Sequence, residues 1–377
     1  MKIMIVMAGF FPGQKFGGPP VSVNNFCTLM KEHECYVVTR NHDLGENNIP
    51  YTDVHPGWND RGNCKVRYLT DKEYHFNKYV EIAKELNPDL IYLQGLFQNC
   101  IIPCLYLAKR MHIPVLLAPR GELCKGAFKK KYKKVPYIIL LKIAGLIKNV
   151  SFQSTSDEET EAIKQHLGIP GEKIWYLSNI PSIPTEKYPY SEKKSGSARL
   201  IYLSRIVPKK NLDFALNCLA EVKGDVIFDI YGANEDIGYW ETCQNIITHF
   251  GNNIIVSYKG NISHDEVQRT FASYDAMLFP TKSENFGHAI VEAFSVGCPP
   301  IISDQTPWTD LQKYNAGWAI DLNNRQGFID AIQIIIDNDE DTQSVMRKAA
   351  IEYFMNKLEI EKLKVQYQKA LEGSITQ

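Results

Sequence analysis

The sequence lacks any hydrophobic run long enough to cross a bilayer. About 18 uninterrupted apolar residues are needed, and the nearest candidate, VPYIILLKIAGLI from Val135, is broken by Lys142. A secretory signal is also missing, because the apolar start MKIMIVMAGFFPG is too short for a signal core and a cleavage site. We therefore expect a cytoplasmic protein that does not cross the membrane, and we interpret its first residues as a buried strand.

Metal and redox motifs are scarce as well. The nine cysteines are scattered and include no Cys-x-x-Cys pair, so we expect reduced thiols. One acidic pattern, IIIDND from Ile334, imitates the Asp-x-Asp motif of metal-dependent transferases. Here Asp337 and Asp339 end an amphipathic helical pattern, FIDAIQIII, and do not follow a strand. The prediction is therefore that the protein uses no metal and no cofactor.

The chain also lacks a strong charge of either sign. Its formal net charge of -1 is not that of a protein suited to duplex DNA, so no nucleic-acid partner is expected. The near-neutrality hides an asymmetry. Residues 1–190 carry 24 Lys and Arg against 18 Asp and Glu, and the remainder carries 18 against 25. The opposite net charges of the two halves of the chain indicate that they bind different ligands or have different functions.

What the sequence does have is a long alternation of β-branched runs with helical periodicity. Its 377 residues exceed the size of a single hydrophobic core, so two domains are expected. Alternation of this kind predicts parallel sheets covered by helices on both faces. Candidate strands begin at Lys2, Cys35, Leu90, Pro114, Ser151 and Ile174, and in a second series at Arg199, Asp225, Asn253, Asp275, Pro299 and Gly317.

The predicted fold class is therefore α/β, with two doubly wound Rossmann-like domains facing across a cleft. The first domain covers residues 1–180. Residues 181–198 are rich in proline, lysine and serine and are interpreted as a linker. The second domain covers 199–355, and 356–377 form a C-terminal helix that returns to the first domain.

The stretch SENFGHAIVEA from Ser283 follows a predicted strand and enters a helix, with Glu284 and Glu292 eight positions apart. Along a helix this spacing corresponds to about 12 Å. Carboxylates accept hydrogen bonds from vicinal hydroxyls, and free NH groups at a helix start bind phosphate. The pair is suited to the two ends of a nucleotide sugar. The alternative is that both glutamates are ordinary residues of a helix start and a solvated face.

Two further turns carry candidate phosphate contacts. SRIVPKKN places Arg205 and Lys210 after the first strand of the second domain, where two cations could stabilise a departing diphosphate. A solvated basic loop is the alternative. Gly17 and Gly18, in GQKFGGPPVSV, permit close approach of the backbone to phosphate or sugar, and a flexible loop is equally compatible.

Together these segments resemble retaining nucleotide-sugar glycosyltransferases of glycosyltransferase family 4, which have the GT-B fold. SENFGHAIVEA resembles the E-x7-E signature, and SRIVPKKN resembles the Arg-x4-Lys diphosphate motif. PVLLAPRGEL from Pro114 resembles the Pro-Arg-Gly segment of a branch that builds bacterial surface polysaccharides.

The resemblance implies roles for individual residues. Arg205 and Lys210 would neutralise the diphosphate, and Glu284 would hold the transferred sugar. Glu292 would hold the ribose. The remaining donor contacts that it implies are Asn261 and Ile262 at the base, and Asn285, Phe286, Gly287 and His288 at the sugar.

The sequence departs from this family at several positions. Ser204 replaces a glycine before the arginine, and Tyr231-Gly232-Ala233 replaces Gly-x-Gly. Arg120 or Gly121 stands where many members have an active-site histidine. We place Arg120 and Glu122 on the acceptor side, where the arginine supplies charge or, alternatively, anchors a structural loop.

A basic segment from Lys125 to Lys148 contains eight lysines and no acid, with apolar residues grouped after the basic cluster. Such a segment could rest on an anionic membrane surface, and a lipid-linked acceptor would follow. An ordinary helix with a solvated basic lead-in is the alternative.

The function expected from these features is retaining, metal-independent transfer of a sugar from a nucleotide sugar, a UDP sugar, to a glycan or lipid-linked oligosaccharide in bacterial surface polysaccharide synthesis. The alternatives are a nucleotide-sugar epimerase of the same fold and a non-catalytic nucleotide-binding protein. Neither the transferred sugar, the acceptor nor the oligomeric state can be read from the sequence.

Overall fold

The computed structural model describes residues 1–13, 15–46, 49–128, 131–184 and 186–376. Lys129 and Lys130 of the basic segment lie outside the described residues. The chain divides into two compact units. The first comprises Met1–Ile180 and Ile360–Gln377, and the second comprises Pro181–Glu359.

In the described part of the first unit, eight strands form one sheet in the order β3-β4-β2-β1-β5-β6-β7-β8. All neighbouring strands are parallel except β3 and β4, which are antiparallel. The strands are β1 (Lys2–Val6), β2 (Glu34–Arg40), β3 (Trp58–Asp60), β4 (Lys65–Leu69), β5 (Leu90–Gln94), β6 (Val115–Ala118), β7 (Val150–Ser154) and β8 (Ile174–Tyr176).

Helices connect these strands and cover the sheet. They are α1 (Gly18–Leu29), α2 (Phe76–Leu86), α3 (Ile101–Met111), α4 (Lys131–Ile143), α5 (Asp157–Leu167) and, from the C-terminus, α12 (Ile360–Thr376). Helix α5 shows how local sequence sets these boundaries. The Ser156 side chain accepts a hydrogen bond from the Glu159 NH at its start, and Gly168 ends it in the left-handed conformation with φ 70°.

The second unit contains a sheet of six described strands, all parallel, in the order β11-β10-β9-β12-β13-β14. The strands are β9 (Ser197–Leu203), β10 (Asp225–Tyr231), β11 (Ile254–Gly260), β12 (Ala276–Phe279), β13 (Pro300–Ser303) and β14 (Trp318–Ile320). The helices are α6 (Leu212–Leu219), α7 (Ile237–Ile247), α8 (His264–Ala272), α9 (His288–Ser295), α10 (Arg325–Asp337) and α11 (Glu340–Lys357).

Residues 181–198, which were interpreted as a linker, all belong to the second unit, and β9 begins within them at Ser197. Lys193 is 4% exposed, and its ammonium donates to four backbone carbonyls, those of Lys194, Ser197, Ile336 and Asn338. A buried ammonium needs such acceptors. This part of the chain is therefore fixed against the end of α10.

The C-terminal region consists of two helices, α11 and α12, that are separated at Leu358–Glu359. Leu363, Tyr367, Ala370 and Leu371 of α12 are buried in a core cluster of the first unit. The Tyr367 hydroxyl donates to the Ser178 carbonyl at 2.9 Å and accepts from Gln153 Nε2 at 2.9 Å. The last helix is thus an integral part of the first unit.

None of the helices in the described part of the chain combines the length and the apolar character that spanning a membrane requires.

Candidate functional site

The loops that follow β9 and β12 carry Arg205, Lys210 and Glu284. Since β9 and β12 are parallel neighbours, their carboxyl ends lie at the same edge of the sheet. The two loops are joined directly. The Lys282 NH donates to the Lys209 carbonyl at 2.9 Å, and Asn211 Nδ2 donates to the Pro280 carbonyl at 2.9 Å. The sequence motifs are therefore held together by the backbone.

Lys210 and Glu284 form an ion pair between Nζ and Oε1. Lys210 is 9% exposed and its ammonium lies 5.5 Å from the centroid of the Phe279 ring. Burial lowers the pKa of Lys210, and the Glu284 carboxylate opposes that shift. The Lys210 ammonium is therefore a partly desolvated cation, and it can bind an anion that displaces the Glu284 carboxylate.

Arg205 is exposed and forms an ion pair with Glu235, its NH1 lying 3.0 Å from Oε2. Hydrogen bonds along the backbone hold this turn to the end of β10. The Ser204 NH donates to the Tyr231 carbonyl at 3.0 Å, and the Ile206 NH donates to the Ala233 carbonyl at 2.8 Å. The guanidinium can exchange its exposed partner for a ligand at little cost, because exposed ion pairs contribute little free energy.

The turn from Glu284 to His288 is shaped by its neighbours. Gly287 adopts φ 76° immediately before α9, a conformation that glycine adopts without strain. Trp308 Nε1 donates to the Phe286 carbonyl at 2.6 Å, and the two rings are in edge-to-face contact at 5.5 Å. Asn285 is exposed, and His288 is half-buried against the Phe286 ring at 4.8 Å.

The start of α9 at His288 leaves its first NH groups without helical acceptors, so this end is suited to an anion or a hydroxyl oxygen. The first turn of α9 is closed by hydrogen bonds to the carbonyl of Gly287. The NH groups of Ile290 and Val291 donate to the Gly287 carbonyl at 2.9 and 3.1 Å.

Glu292 lies inside the second unit and is 4% exposed. Its Oε1 accepts a hydrogen bond from Ser182 Oγ at 3.0 Å, and His264 Nδ1 is 3.7 Å away. Burial raises the pKa of Glu292 to about 7, while the bond from Ser182 acts in the opposite direction. Burial also lowers the pKa of His264. Both shifts favour the uncharged forms, the carboxylic acid of Glu292 and the neutral imidazole of His264.

The loop after β11 holds Asn261 and Ile262. Asn261 is exposed, and Ile262 packs half-buried on the core of the second unit. The Gly232 NH donates to the Gly260 carbonyl at 2.8 Å, which joins this loop to the end of β10. A Cβ at Gly232 would lie 2.0 Å from the Ser204 carbonyl oxygen. Only glycine therefore fits between the turns after β9 and β11.

In the first unit, Gly17 precedes α1 with φ 69°, and Gly18 is the first residue of that helix. A Cβ at Gly17 would meet no atom within 4 Å. The glycine is therefore required by the backbone angle and not by crowding. It lies in the connection from β1 to α1, the position of ligand-binding turns in open α/β sheets.

Arg120 and Glu122 follow β6 in the first unit. Arg120 has φ 58°, which is uncommon for a residue other than glycine. Its Nε donates to Gln94 Oε1 at 2.7 Å, and its NH1 donates to Asn179 Oδ1 at 2.8 Å. Glu122 accepts from the Leu96 and Phe97 NH groups and from Gln98 Nε2. These contacts are those of residues that anchor loops, and the acceptor role of both residues stays a prediction.

The sequence did not single out Ser182 and His264. His264 begins α8 and Glu292 lies one helix later, so only the packing of α8 on α9 reveals that they are neighbours. Gln268 Nε2 donates to the Ser182 carbonyl at 3.1 Å and fixes that residue over the Glu292 carboxyl.

Comparisons with known proteins agree with this architecture. Residues 185–353 match the family model "Glycosyl transferases group 1". One curated relative is the UDP-N-acetylglucosamine--peptide N-acetylglucosaminyltransferase GtfA subunit of Streptococcus agalactiae, 26% identical over 159 residues. The corresponding protein of Streptococcus pneumoniae is 24% identical over 153 residues. The alignments cover 40% of this chain and 29% of each relative.

Similar solved structures extend over the whole chain. The Anabaena protein Alr3699/HepE, in complex with UDP and glucose, matches with a TM-score of 0.70 at 16% identity and covers 99% of both chains. Sucrose-phosphate synthase from Thermosynechococcus elongatus matches with a TM-score of 0.66 at 14% identity, over 98% and 97% of the two chains. The predicted α/β class with two Rossmann-like domains, the GT-B fold, is confirmed.

Proposed function

Taking the GT-B fold and the glycosyl transferases group 1 region as the premise, we propose that this protein is a glycosyltransferase. Its donor is a nucleotide sugar, a UDP sugar, and its acceptor is a glycan or lipid-linked oligosaccharide of bacterial surface polysaccharide synthesis. The observation that carries the proposal is the junction of the β9 and β12 loops. It holds the buried Lys210 and Glu284 as a pair and places Arg205 on the β9 loop.

The donor's diphosphate is assigned to Arg205 and Lys210. Each cation is held by a carboxylate, Glu235 or Glu284, that a phosphate oxygen can replace. Release of Glu284 from Lys210 frees its carboxylate to accept hydrogen bonds from the hydroxyls of the transferred sugar. We assign the ribose to Glu292, the base to Asn261 and Ile262, and further sugar contacts to the backbone at Asn285–His288. Gly17 and Gly18 are assigned a donor contact as well.

The reaction that we propose is retaining. The bond from the anomeric carbon to the leaving phosphate oxygen breaks, and positive charge develops at that carbon. The acceptor hydroxyl attacks from the same face and its proton passes to the leaving phosphate. Arg205 and Lys210 stabilise the negative charge on the diphosphate, each contributing about 3 kcal/mol if well placed. Because two cations serve this purpose, the proposal includes no metal.

The comparisons support a UDP donor. The Anabaena structure contains UDP and glucose, and both streptococcal relatives are GtfA subunits of a UDP-N-acetylglucosamine--peptide N-acetylglucosaminyltransferase. Because the chain spans less than a third of those relatives, their peptide acceptor is not carried over. An epimerase would instead turn over the donor without an acceptor, and a non-catalytic binding protein would bind UDP without transfer or donor hydrolysis.

The test is a panel of UDP-, GDP- and ADP-sugars scored by thermal shift and then by donor hydrolysis and transfer. Lys210→Ala and Arg205→Ala should each lower turnover by about 10²–10³-fold, because each removes a donor to developing charge. Glu284→Ala should abolish transfer with the fold intact. Lys209→Ala is the matched control, since Lys209 is the exposed neighbour of Lys210. Equal losses in Lys209→Ala and Lys210→Ala would contradict the assignment.

We also propose that α4 contacts an anionic membrane surface, which would bring the protein to a lipid-linked acceptor at the cytoplasmic face. Ile138 and Leu141 face the core of the first unit. The large apolar residues on the other side are between 42% and 82% exposed, and they are Tyr132, Val135, Ile139, Leu140 and Ile143. Exposed lysines lie on the same helix at 131, 133 and 142 and flank it in sequence at 125 and 148. Apolar residues within a basic rim complement anionic headgroups over acyl chains.

A further inference from the structure

The Glu292 carboxyl is surrounded by side chains that a simple hydrogen bond to a ribose would not need. The carboxyl is enclosed by Ser182 from the segment before β9 and by His264 from α8, and it lies on α9. Ser182 is in turn held by Gln268 of α8, and Ser295 Oγ donates to the Glu292 carbonyl at 2.8 Å. Three segments therefore converge on one acid side chain.

The charge around this acid is unusual for a buried carboxylate. Within the described residues, the one basic group that lies within 4.0 Å of Glu292 is the His264 imidazole, at 3.7 Å. No lysine or arginine of the described ranges pairs with it at that distance. An ionised carboxylate buried without a paired cation is costly, so the acid form is favoured.

Other ionisable groups on the neighbouring elements have different partners. On α8, burial lowers the pKa of His264 and the Asp265 carboxylate opposes that shift, and Arg269 pairs with the exposed Glu186. From α11, Tyr353 donates to Asp310 and Arg347 pairs with Asp275. At the start of α9, His288 contacts the Phe286 ring. The pKa of Glu292 is raised by its burial and lowered by the hydrogen bond from Ser182, and the His264 imidazole contributes to that burial from 3.7 Å.

We propose that near neutral pH Glu292 carries a proton in part of the free protein, that binding of the donor's ribose ionises it, and that Ser182 and His264 are the positioning residues that set this balance. The inference rests on the proposed function. Two vicinal hydroxyls donate two hydrogen bonds to a carboxylate, whereas a carboxylic acid keeps one oxygen as a donor. Donor binding therefore releases a proton to solvent.

The proposal predicts that donor affinity rises with pH. Because the pKa of Glu292 in the free protein is about 7, about half of the molecules carry the proton at pH 7, and donor binding there should release about 0.5 proton. Donor affinity should rise about tenfold from pH 6 to pH 8, since the ionised fraction rises by that factor. Above pH 8 the affinity should become constant.

The experiment is titration calorimetry with UDP-glucose and with UDP-N-acetylglucosamine, in two buffers of different ionisation enthalpy, from pH 6 to pH 8.5. Nucleotide sugars are preferred to UDP because their phosphates do not titrate in this range. Glu292→Gln should abolish both the proton release and the pH dependence. Glu241→Gln, a change to an exposed glutamate of α7, should retain both.

Two further variants separate positioning from general damage. Ser182→Ala removes the hydroxyl that favours the carboxylate, so the midpoint of the affinity profile should move to higher pH. His264→Ala admits water beside the carboxyl, so the midpoint should move to lower pH. A merely structural role would weaken binding equally at every pH and leave the midpoint in place.

The outcomes are distinguishable from failure of the proposed function. If neither nucleotide sugar binds to the wild-type protein, the proposed donor is wrong and this inference falls with it. If one binds with an affinity that does not change with pH and without proton release, this inference alone is overturned.

Discussion

At the scale of single residues, the two glutamates of the SENFGHAIVEA stretch have opposite electrostatic settings. Glu284 is paired with the Lys210 ammonium, whereas Glu292 is buried beside the Ser182 hydroxyl and the His264 imidazole. The sequence could predict that both carboxylates follow the same strand, because the spacing lies within one turn and helix. It could not predict their charge states, which depend on Ser182 and His264, both distant in the chain.

This difference predicts a pH-dependent stability. The pKa of Glu292 is raised from 4.5 to about 7 on folding, so the folded protein retains a proton that the unfolded chain releases. The associated stability is fully present below pH 4.5 and is lost as the pH rises to 7. The ionised form then costs the wild type about 3 kcal/mol. Glu292→Gln removes this cost.

Urea denaturation of both proteins at pH 4.5 and pH 8 measures the effect. The stability of Glu292→Gln relative to the wild type should be about 3 kcal/mol more favourable at pH 8 than at pH 4.5. A relative stability that is the same at both values would show that Glu292 ionises in the folded protein at its ordinary pH.

At the scale of helices and strands, local sequence was informative where caps and apolar runs are strong. The helix Asp157–Leu167, for example, is bounded by Ser156 at its start and by Gly168 at its end. β4 was missed because Lys65 and Arg67 interrupt its apolar residues. Its identity as a strand comes from pairing with β2, and Arg67 is held by Glu85 of α2, at 2.6 Å. Partners of this kind, distant in the chain, cannot be predicted from the local sequence.

The proposed membrane contact also belongs to this scale. Replacing Tyr132 and Ile143, the two most exposed apolar residues of α4, by aspartate should lower binding to anionic phospholipid vesicles by about tenfold or more, because it removes inserted apolar area and adds repulsion. Co-sedimentation with anionic and with zwitterionic vesicles is the measurement. Met355→Asp, which alters an exposed methionine of α11 that is 61% exposed, is the control.

Wild-type protein that binds neither kind of vesicle, or a double variant that binds as well as Met355→Asp, would show that α4 is an ordinary surface helix.

At the scale of the whole molecule, the sequence predicted two α/β domains because two series of strands and helices are separated by a proline-rich segment. It could place a C-terminal helix, but the residues that α12 packs against come from strands at the other end of the chain. The acceptor could not be predicted from the sequence, since in the proposed function its recognition depends on loop shapes in the first unit. The donor side is better defined, because backbone hydrogen bonds join its motifs.

The most direct test of the proposed function is a crystal structure with a UDP-sugar bound. The prediction is that diphosphate oxygens lie within about 3.2 Å of the Arg205 guanidinium and the Lys210 ammonium. Glu284 would then be released from Lys210 to a sugar hydroxyl, and the ribose would lie on Glu292. A nucleotide bound elsewhere, with Arg205 still paired to Glu235 and Lys210 still paired to Glu284, would contradict the proposal.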